Sequence, residues 1–379
     1  MTRPLALADA VAALTARFAA TAADYDASGD FPHANFALLR EAGLLALTAP
    51  VEFGGRGGGL SEAAEVIGGV ARGEPSTALV LTMQYLNLAT LPRGRWPRAL
   101  VERVIRDAVD RGALVNALRV EPELGTPVRG GLPATTARRT PDGWRISGRK
   151  IYSTGIDGLA WAIVWARTDE AEPRVGAFLV PADAPGIRIE RTWKALGMRA
   201  TASHDIVLDD VAIPAEFAAD LRPPQDWAAG EAGQPVWIAV LIGALYDGVA
   251  RAARDWLVSF LKARVPTNLG APLSSLPRVQ EAVGAIEERL AVNARLIRSA
   301  ARDADDGRPS SAVEAGLLKL TLTETAIEVV ERALKLTGNH GIARANPLER
   351  HLRDVLCGRI HSPQEDTARL NAGRLALTA

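Results

Sequence analysis

The chain has 379 residues, of which 48% are hydrophobic and 23% charged, a composition typical of a folded multidomain protein rather than a disordered one. Lys plus Arg and Asp plus Glu both number 44, so the charge balance gives no support to nucleic acid as a partner. The single Cys357 excludes an internal disulfide and suits a cytoplasmic protein, and the five histidines lack the spacing of a zinc-binding helix, so no metal site is predicted.

Residues 1–112 are predicted to form an N-terminal α-helical domain. Apolar residues near the start follow one helix face and acidic residues interrupt them, so an amphipathic helix is expected rather than a signal peptide. Later helices are expected near 61–73, 75–90 and 97–111. The glycine-rich run Pro50–Gly59 is followed by no Gly-Lys-Ser/Thr and preceded by no strand, so it is interpreted as a turn.

From about 113 to 215 the pattern changes to short strands separated by turn signals, which predicts a small antiparallel β-barrel or sandwich as a middle β-domain. The stretch Asp142–Gly155 begins with a turn dipeptide and continues as a β-hairpin that enters a half-buried strand. Its end places Tyr152, Ser153 and Thr154 beside a glycine, which favours the approach of a flat, polar, aromatic ligand. An ordinary edge strand with a glycine bulge is the alternative, and the stretch alone favours it.

Residues 230–379 are predicted to form a C-terminal four-helix bundle, because long helical patterns are joined by short loops. The helices are expected near 235–262, 275–306, 311–337 and 347–356, with a shorter one after Pro363. The most apolar run, Pro235–Ala244, is too short to cross a bilayer and is interpreted as a buried helix, so no membrane partner is expected.

Short motifs accompany this order of helices, β-domain and bundle over nearly the whole chain. They are Phe31-Pro32, the loop from Pro50 to Gly57, Glu121-Pro122 with Gly125-Thr126, Asp142 to Lys150, Gly197-x-Arg199, Asp210-Val211 with Pro214, and Gly338, Gly341 and Pro347 before Arg353-Asp354. Each motif alone is weak, but in this order they resemble the acyl-CoA dehydrogenase superfamily. The resemblance implies an α+β multidomain fold in which the helical domain, the β-domain and the bundle follow one another.

The resemblance also implies a site for FAD between the β-domain and the bundle. By position, Tyr152 would cover one flavin face, Thr154 would offer its hydroxyl to the flavin N5 atom, and Thr126 would lie near the pyrophosphate. An aromatic ring packs well on the flavin, and a hydroxyl tunes N5.

Three further residues are implied to bind the FAD of a neighbouring subunit: Arg264, Gly338 and Gly341. A shared cofactor of this kind implies a homodimer or a homotetramer. Two departures from the family pattern concern the adenine end of the cofactor. Lys335 stands where Gln is usual, and the segment after Arg264 lacks the usual Thr-Phe-Gly.

Acyl-CoA dehydrogenation needs a Glu or Asp beside the flavin, because the α-proton of the substrate is a weak acid. In most family members this Glu follows the Arg-Asp pair by eight residues, which leads here to Ser362. A minority place it near the start of the first bundle helix, here Val236, and neither residue can act as a base. Glu365 or Asp366 could substitute for the first and Glu231 for the second, although solvated surface charge is the commoner fate of such residues.

His361-Ser362-Pro363 stands where that carboxylate is missing. Together with the segment from Lys150 to Gly155, it resembles a side branch of flavin-dependent monooxygenases such as dibenzothiophene monooxygenase and the sulfur-acquisition oxidoreductases. Such enzymes take reduced flavin, FMN included, from a separate reductase and form a C4a-(hydro)peroxide. A histidine of near-neutral pKa at 361 could protonate the peroxide or take a proton from the substrate, with Ser362 as a second candidate catalytic residue. The alternative is a helix-terminus histidine with a local hydrogen bond, and Gln84 replaces a second histidine of that branch.

Two classes of function follow. The first is a flavin-dependent oxidoreductase that acts on a small-molecule substrate, with a flavin reductase or an electron-transfer partner. It is either a monooxygenase or an acyl-CoA dehydrogenase with a displaced base. The second is a non-catalytic binding module, against which the retained Tyr152, Thr154 and Gly341 speak, since a scaffold needs no flavin site.

Overall fold

The computed structural model describes residues 7–124, 131–227 and 234–378. Its first part is helical, as the sequence predicts. The helices are α1 (Leu7–Ser28), α2 (His33–Glu41), α3 (Leu60–Gly73), α4 (Pro75–Thr90) and α5 (Arg98–Arg111). The glycine-rich run before α3 consists of a short 3₁₀ helix, Val51–Phe53, a turn at Gly54 with a φ of 87°, and an irregular stretch in which a Cβ atom at Gly58 or Gly59 would lie within 3 Å of neighbouring side chains.

The middle part forms one eight-stranded sheet. Its strands are β1 (Leu114–Leu118), β2 (Thr136–Thr140), β3 (Gly143–Lys150), β4 (Leu159–Thr168), β5 (Val175–Pro181), β6 (Ile187–Glu190), β7 (Asp205–Pro214) and β8 (Ala218–Arg222). The main path of the sheet runs β6-β7-β3-β2-β4-β5-β8, and β1 pairs with β4. The hairpin predicted at Asp142-Gly143 is present, with Thr140 opposite Gly143 in the antiparallel β2–β3 pair.

The sheet is mixed rather than wholly antiparallel. Strand β4 is ten residues long and runs parallel to two others. Its first part pairs with β1, and its last two residues pair with the start of β2. A strand of this length can take both partners along one edge and the antiparallel β5 along the other.

The last part forms a helical bundle, as predicted. Its helices are α6 (Gln234–Ala263), α7 (Pro277–Asp305), α8 (Ala312–Thr337), α9 (Asn339–Ile342), α10 (Leu348–Leu356) and α11 (Glu365–Thr378). Among the described helices, only α6 is long and apolar enough to cross a bilayer, but 89% of its most apolar window is buried inside the protein. The helix is therefore a core element, as expected for its apolar start.

Two hydrophobic cores organise these elements. One is shared by the N-terminal helices and the bundle, and includes Phe18 of α1, Ile67 of α3 and Leu245 of α6. The other lies between α5 and the sheet and includes Ile105 and Phe178. Each such buried side chain contributes about 1.5–3 kcal/mol relative to exposure. The predicted domain boundaries stay predictions, and α1, α3 and α4 pack with the bundle around one core.

Candidate active site

The end of β3 is the first part of the candidate site. Beyond Lys150, Tyr152 is 60% exposed and has a positive φ of 56°. A left-handed backbone costs an ordinary residue about 1–2 kcal/mol, so the surrounding structure must hold this conformation. Trp193 packs edge-on against the tyrosine, with 6.3 Å between ring centroids. The strand end thus presents an exposed aromatic ring close in sequence to the Thr154 hydroxyl.

A row of hydrogen bonds runs from this strand end to α10. The Thr154 and Ser203 hydroxyl oxygens lie 2.9 Å apart, and those of Ser203 and Thr201 lie 2.8 Å apart. Thr201 Oγ1 donates to the Met198 carbonyl oxygen at 2.9 Å, and the Met198 amide donates to Asp354 Oδ1 at 2.7 Å. Polar contacts therefore hold the strand end and α10 in a fixed relation.

Strand β1 braces Thr154 through its backbone. Asn116 Nδ2 donates to the Thr154 carbonyl oxygen at 2.9 Å. Gln84 of α4 in turn fixes β1, since its Oε1 accepts from the Val115 amide at 2.8 Å and its Nε2 donates to the Ala113 carbonyl oxygen at 3.0 Å. Both ends of this buried amide are occupied by backbone, so Gln84 aligns β1 with α4 and offers nothing to a ligand.

A buried ion pair joins two of the sequence motifs. Lys150 Nζ lies 2.6 Å from Glu121 Oε1 and also donates to the Trp165 carbonyl oxygen. Glu121 accepts further bonds from the Ala134 and Thr135 amides and the Thr135 hydroxyl. Burial opposes ionisation of Glu121, but the hydrogen bond and charge of Lys150 together with the bonds from Thr135 and Ala134 outweigh it, and the pKa of Glu121 falls below its usual value. Burial lowers the pKa of Lys150 to about 8.

The Arg-Asp pair of α10 forms a junction between three parts of the fold. Arg353 donates to both carboxylate oxygens of Asp26 in α1, at 2.8 and 2.6 Å. Gly197 lies so close to the Arg353 carbonyl oxygen that a Cβ atom would come within 2.3 Å of it. Asp354 is 3% exposed, and burial raises its pKa to about 7. The Gly197 and Arg353 motifs, far apart in sequence, therefore meet in space.

His361 lies in the segment that connects α10 to α11. Its Nε2 atom is 2.7 Å from the Tyr246 hydroxyl of α6. Lys319 of α8 donates to the His361 carbonyl oxygen at 2.8 Å and to that of Pro363 at 3.4 Å, so it holds the backbone on both sides of Ser362. Burial and the Lys319 charge lower the pKa of His361 to about 3. The expectation of a near-neutral pKa is wrong, and the imidazole is neutral at pH 7.

Among the described residues, no carboxylate stands at either of the two positions where family members carry the catalytic base, here Ser362 and Val236. Glu365 and Asp366 are exposed in the first turn of α11, and Glu365 pairs with Arg369. Val236, at the second position, is fully buried. Glu231 lies outside the described residues. For Glu365 or Asp366 to replace the base, the preceding loop would have to break its hydrogen bonds to α8.

The residues assigned to a neighbouring flavin gather at one end of the bundle. Arg264 follows the last residue of α6 and is exposed. Gly338 ends α8 with a positive φ of 56°, and Gly341 is buried with no room for a Cβ atom. The Phe260 and His340 rings are 5.1 Å apart, which brings the end of α6 against this glycine turn.

Sequence reasoning missed three polar residues that the structure adds to the site: Tyr246, Lys319 and Ser203. The available signal was a tyrosine and a lysine at core positions of helical patterns, where most residues are apolar. The partner of His361 is not local, since 115 residues separate it from Tyr246. Thr126, expected near the pyrophosphate, falls outside the described residues.

A cleft of about 1130 Å³ lies next to the strand end, between the α1–α2 loop and the sheet. Trp193, Asp157 and His204 line it, but Thr154 and His361 do not. Because Trp193 lines the cleft and also packs against Tyr152, whereas Thr154 and His361 lie outside the cleft, we treat the cleft as a neighbour of the candidate site rather than the site itself.

Three family models match the chain in order: "Acyl-CoA dehydrogenase, N-terminal domain" over residues 4–92, the middle domain over 119–211 and the C-terminal domain over 240–365. YdbM of Bacillus subtilis (strain 168), whose name assigns it provisionally to the acyl-CoA dehydrogenases, is 35% identical over 93% of this chain and 91% of its own length. The L-evernosamine nitrososynthase of Micromonospora sp. (strain ATCC 39149 / NRRL 15099 / SCC 1413) is 31% identical over 94% of this chain and 86% of its own length.

Solved structures show the same architecture. KijD3 in complex with FMN and a dTDP-linked amino sugar is 31% identical with a TM-score of 0.84, covering 98% of this chain and 93% of that chain. Dibenzothiophene monooxygenase (TdsC) from Paenibacillus sp. A11-2 has a TM-score of 0.83 at 22% identity, covering 96% and 95% of the two chains, which shows a shared fold. The predicted order of helical, β and helical parts is confirmed.

Proposed function

The chain belongs to the acyl-CoA dehydrogenase family, which includes both dehydrogenases and monooxygenases, and we propose that this member is a flavin-dependent monooxygenase. The observation that carries the proposal is the position of the dehydrogenase base, where Ser362 stands beside a neutral His361. A serine hydroxyl cannot remove the α-proton of an acyl thioester, whereas an imidazole can hold or pass on a proton. The 31% identity to a nitrososynthase is compatible with a chemistry other than dehydrogenation.

The strand end after β3 fits a flavin. An exposed aromatic ring and a row of hydroxyls suit a flat ring with polar edges. On this proposal Tyr152 covers one face, Thr154 bonds the N5 edge, and Arg264, Gly338 and Gly341 bind the FAD of a neighbouring subunit. The FMN complex of the related KijD3 supports a flavin cofactor here. When bound in its reduced form, the flavin supplies the electrons that activate O₂.

The chain's own residues then hold the reactants and place protons. His361, with a pKa of about 3, offers a neutral N–H donor and not an imidazolium. Ser362 adds a hydroxyl that can donate or accept beside it. Lys319 keeps both residues in place through the carbonyl oxygens of His361 and Pro363.

The partners follow from the same proposal. The substrate is a small molecule, and reduced flavin comes from a separate reductase in place of an electron-transfer partner. Because Arg264, Gly338 and Gly341 are assigned to a neighbour's cofactor, the working unit is a homodimer or homotetramer. The free Cys357 fits the predicted cytoplasmic location.

An anaerobic stopped-flow experiment tests the function. The protein with reduced flavin is mixed with O₂, and we expect a transient absorbing species distinct from both reduced and oxidised flavin. His361→Asn should shorten its lifetime, whereas His33→Asn, at the exposed start of α2, should leave it unchanged. Absence of the transient, together with bleaching of oxidised flavin by acyl-CoA, would establish the alternative of a dehydrogenase with a displaced base. Failure to bind any flavin would indicate a non-catalytic module.

A further inference from the structure

We propose that Tyr246 is a positioning residue that fixes the tautomer of His361, with the phenol donating to Nε2 and the ring proton held on Nδ1. The use of this tautomer in catalysis rests on the proposed monooxygenase function, but the tautomer itself does not. The inference is carried by the 2.7 Å contact between Tyr246 Oη and His361 Nε2.

The surroundings of the phenol decide which atom donates. Tyr246 is fully buried in α6, and within the described ranges its hydroxyl has His361 Nε2 as its one hydrogen-bond partner. If Nε2–H donated to the phenol oxygen, the phenol hydrogen would be left without an acceptor in a dry interior. That penalty favours the phenol-donating form by about 5- to 150-fold, equivalent to about 1–3 kcal/mol.

The second ring nitrogen is free for a ligand. No described residue forms a hydrogen bond with Nδ1 of His361, and this atom is not shielded from solvent. The contrast is His351, whose Nδ1 is shielded and without a partner among the described residues. A proton held on Nδ1 of His361 is therefore both unused by the fold and reachable.

Burial and the Lys319 charge keep the ring neutral, so that one proton has to be placed on one of two nitrogens. The Lys319 ammonium holds the carbonyl oxygens of His361 and Pro363 and opposes a second proton on the imidazole. Glu324 of α8, whose charge acts on Lys319, is itself paired with Arg359. Tyr246 then supplies the bias between the two neutral forms.

For the proposed reaction, a fixed tautomer gives one N–H donor with a set direction. A ring with two interchangeable tautomers would present a donor to the substrate for only part of the time. Tyr246 thus acts through His361 and touches no reactant itself.

Nitrogen NMR of protein containing ¹⁵N-labelled histidine tests the proposal, with flavin and O₂ both absent. The signals of His361 are assigned as those that disappear in the His361→Asn variant. Their long-range ¹H–¹⁵N correlation pattern should show the ring proton on Nδ1. Tyr246→Phe should shift the ring to a mixture or to the Nε2–H form. Tyr85→Phe is the matched control, since Tyr85 is equally buried but donates to the Leu44 carbonyl oxygen.

Two results would overturn the proposal: a proton on Nε2 in the unaltered protein, or an unchanged pattern in Tyr246→Phe. The first needs no folded Tyr246 variant. In turnover, Tyr246→Phe should lower kcat in proportion to the fraction of the Nδ1–H form that is lost, about 2-fold for an equal mixture and more if the Nε2–H form dominates, with KM unchanged, and Tyr85→Phe should not. If the tautomer is found as expected but no oxygenation occurs, the proposed function fails and the positioning role stands.

Discussion

Replacing Lys150 by Met tests how the β-domain is held together. The change keeps most of the apolar stem but removes the ammonium, leaving Glu121 buried with an uncompensated charge. Breaking a buried ion pair in this way costs about 3–5 kcal/mol. The donors from Ala134 and Thr135 remain and continue to bond the carboxylate. We therefore expect a loss near the lower end, about 3 kcal/mol.

Urea unfolding at pH 7, followed by tryptophan fluorescence, measures this loss. With a slope of about 3 kcal/mol per M, the midpoint should fall by about 1 M. Adding Glu121→Gln to Lys150→Met should recover part of the loss, because the buried charge is then gone. Arg106→Met is the control, since its pair with Glu102 is half exposed and is worth only about 0.3–0.5 kcal/mol. A loss below 1 kcal/mol, or strictly additive losses in the double variant, would refute the reasoning.

Three other predictions concern the row of hydroxyls and the two perturbed groups beyond it. Ser203→Ala removes the side-chain partner of Thr154 and should weaken flavin binding in a fluorescence titration. Thr154→Ser keeps the hydroxyl and should bind flavin nearly as tightly as the unaltered protein does. Equal weakening by both variants would contradict a role for the hydroxyl row. Burial raises the pKa of folded Asp354 from 3.8 to about 7, so the folded state binds more protons between these values. The stability of the unaltered protein relative to Asp354→Asn should therefore fall as the pH rises from 4 to 7, by up to about 4 kcal/mol in urea unfolding, and a pH-independent difference would exclude this linkage. Lys319→Met removes a charge that lowers the pKa of His361. An NMR titration should therefore show the pKa of His361 rising from about 3, while burial still keeps it below 6.5. An unchanged pKa of His361 would mean that the Lys319 charge is screened.

The features that could be predicted from the sequence are those set by residues close together along the chain. The Asp142-Gly143 hairpin has a local cause, since the turn dipeptide and the alternation after it fix the register of β2 and β3. The apolar start of α6 likewise identified a core helix from composition alone. Strand β8 was missed, because its five residues, Ala218–Arg222, show neither alternation nor β-branched side chains.

The candidate site depended on contacts that no local pattern encodes. The family motifs suggested Tyr152 and Thr154, but the row from Thr154 through Ser203 to Asp354 joins residues about 200 positions apart. The pKa of His361 could not be predicted either. Its value follows from burial and from a lysine 42 residues earlier in another helix, and a sequence does not reveal such proximity.

The contact between Asp26 and Arg353 has a consequence for how the chain is made. The two residues are 327 positions apart, so at about 5–20 residues per second a ribosome needs about 16–65 s to supply the arginine after the aspartate. Arg199 emerges earlier and donates to the Asp26 carbonyl oxygen, which gives α1 a provisional anchor. A nascent chain stalled before α10 would therefore hold its first helix through the Arg199 bond and through packing in the core shared with α3, and the Asp26–Arg353 contact could form only near the end of synthesis.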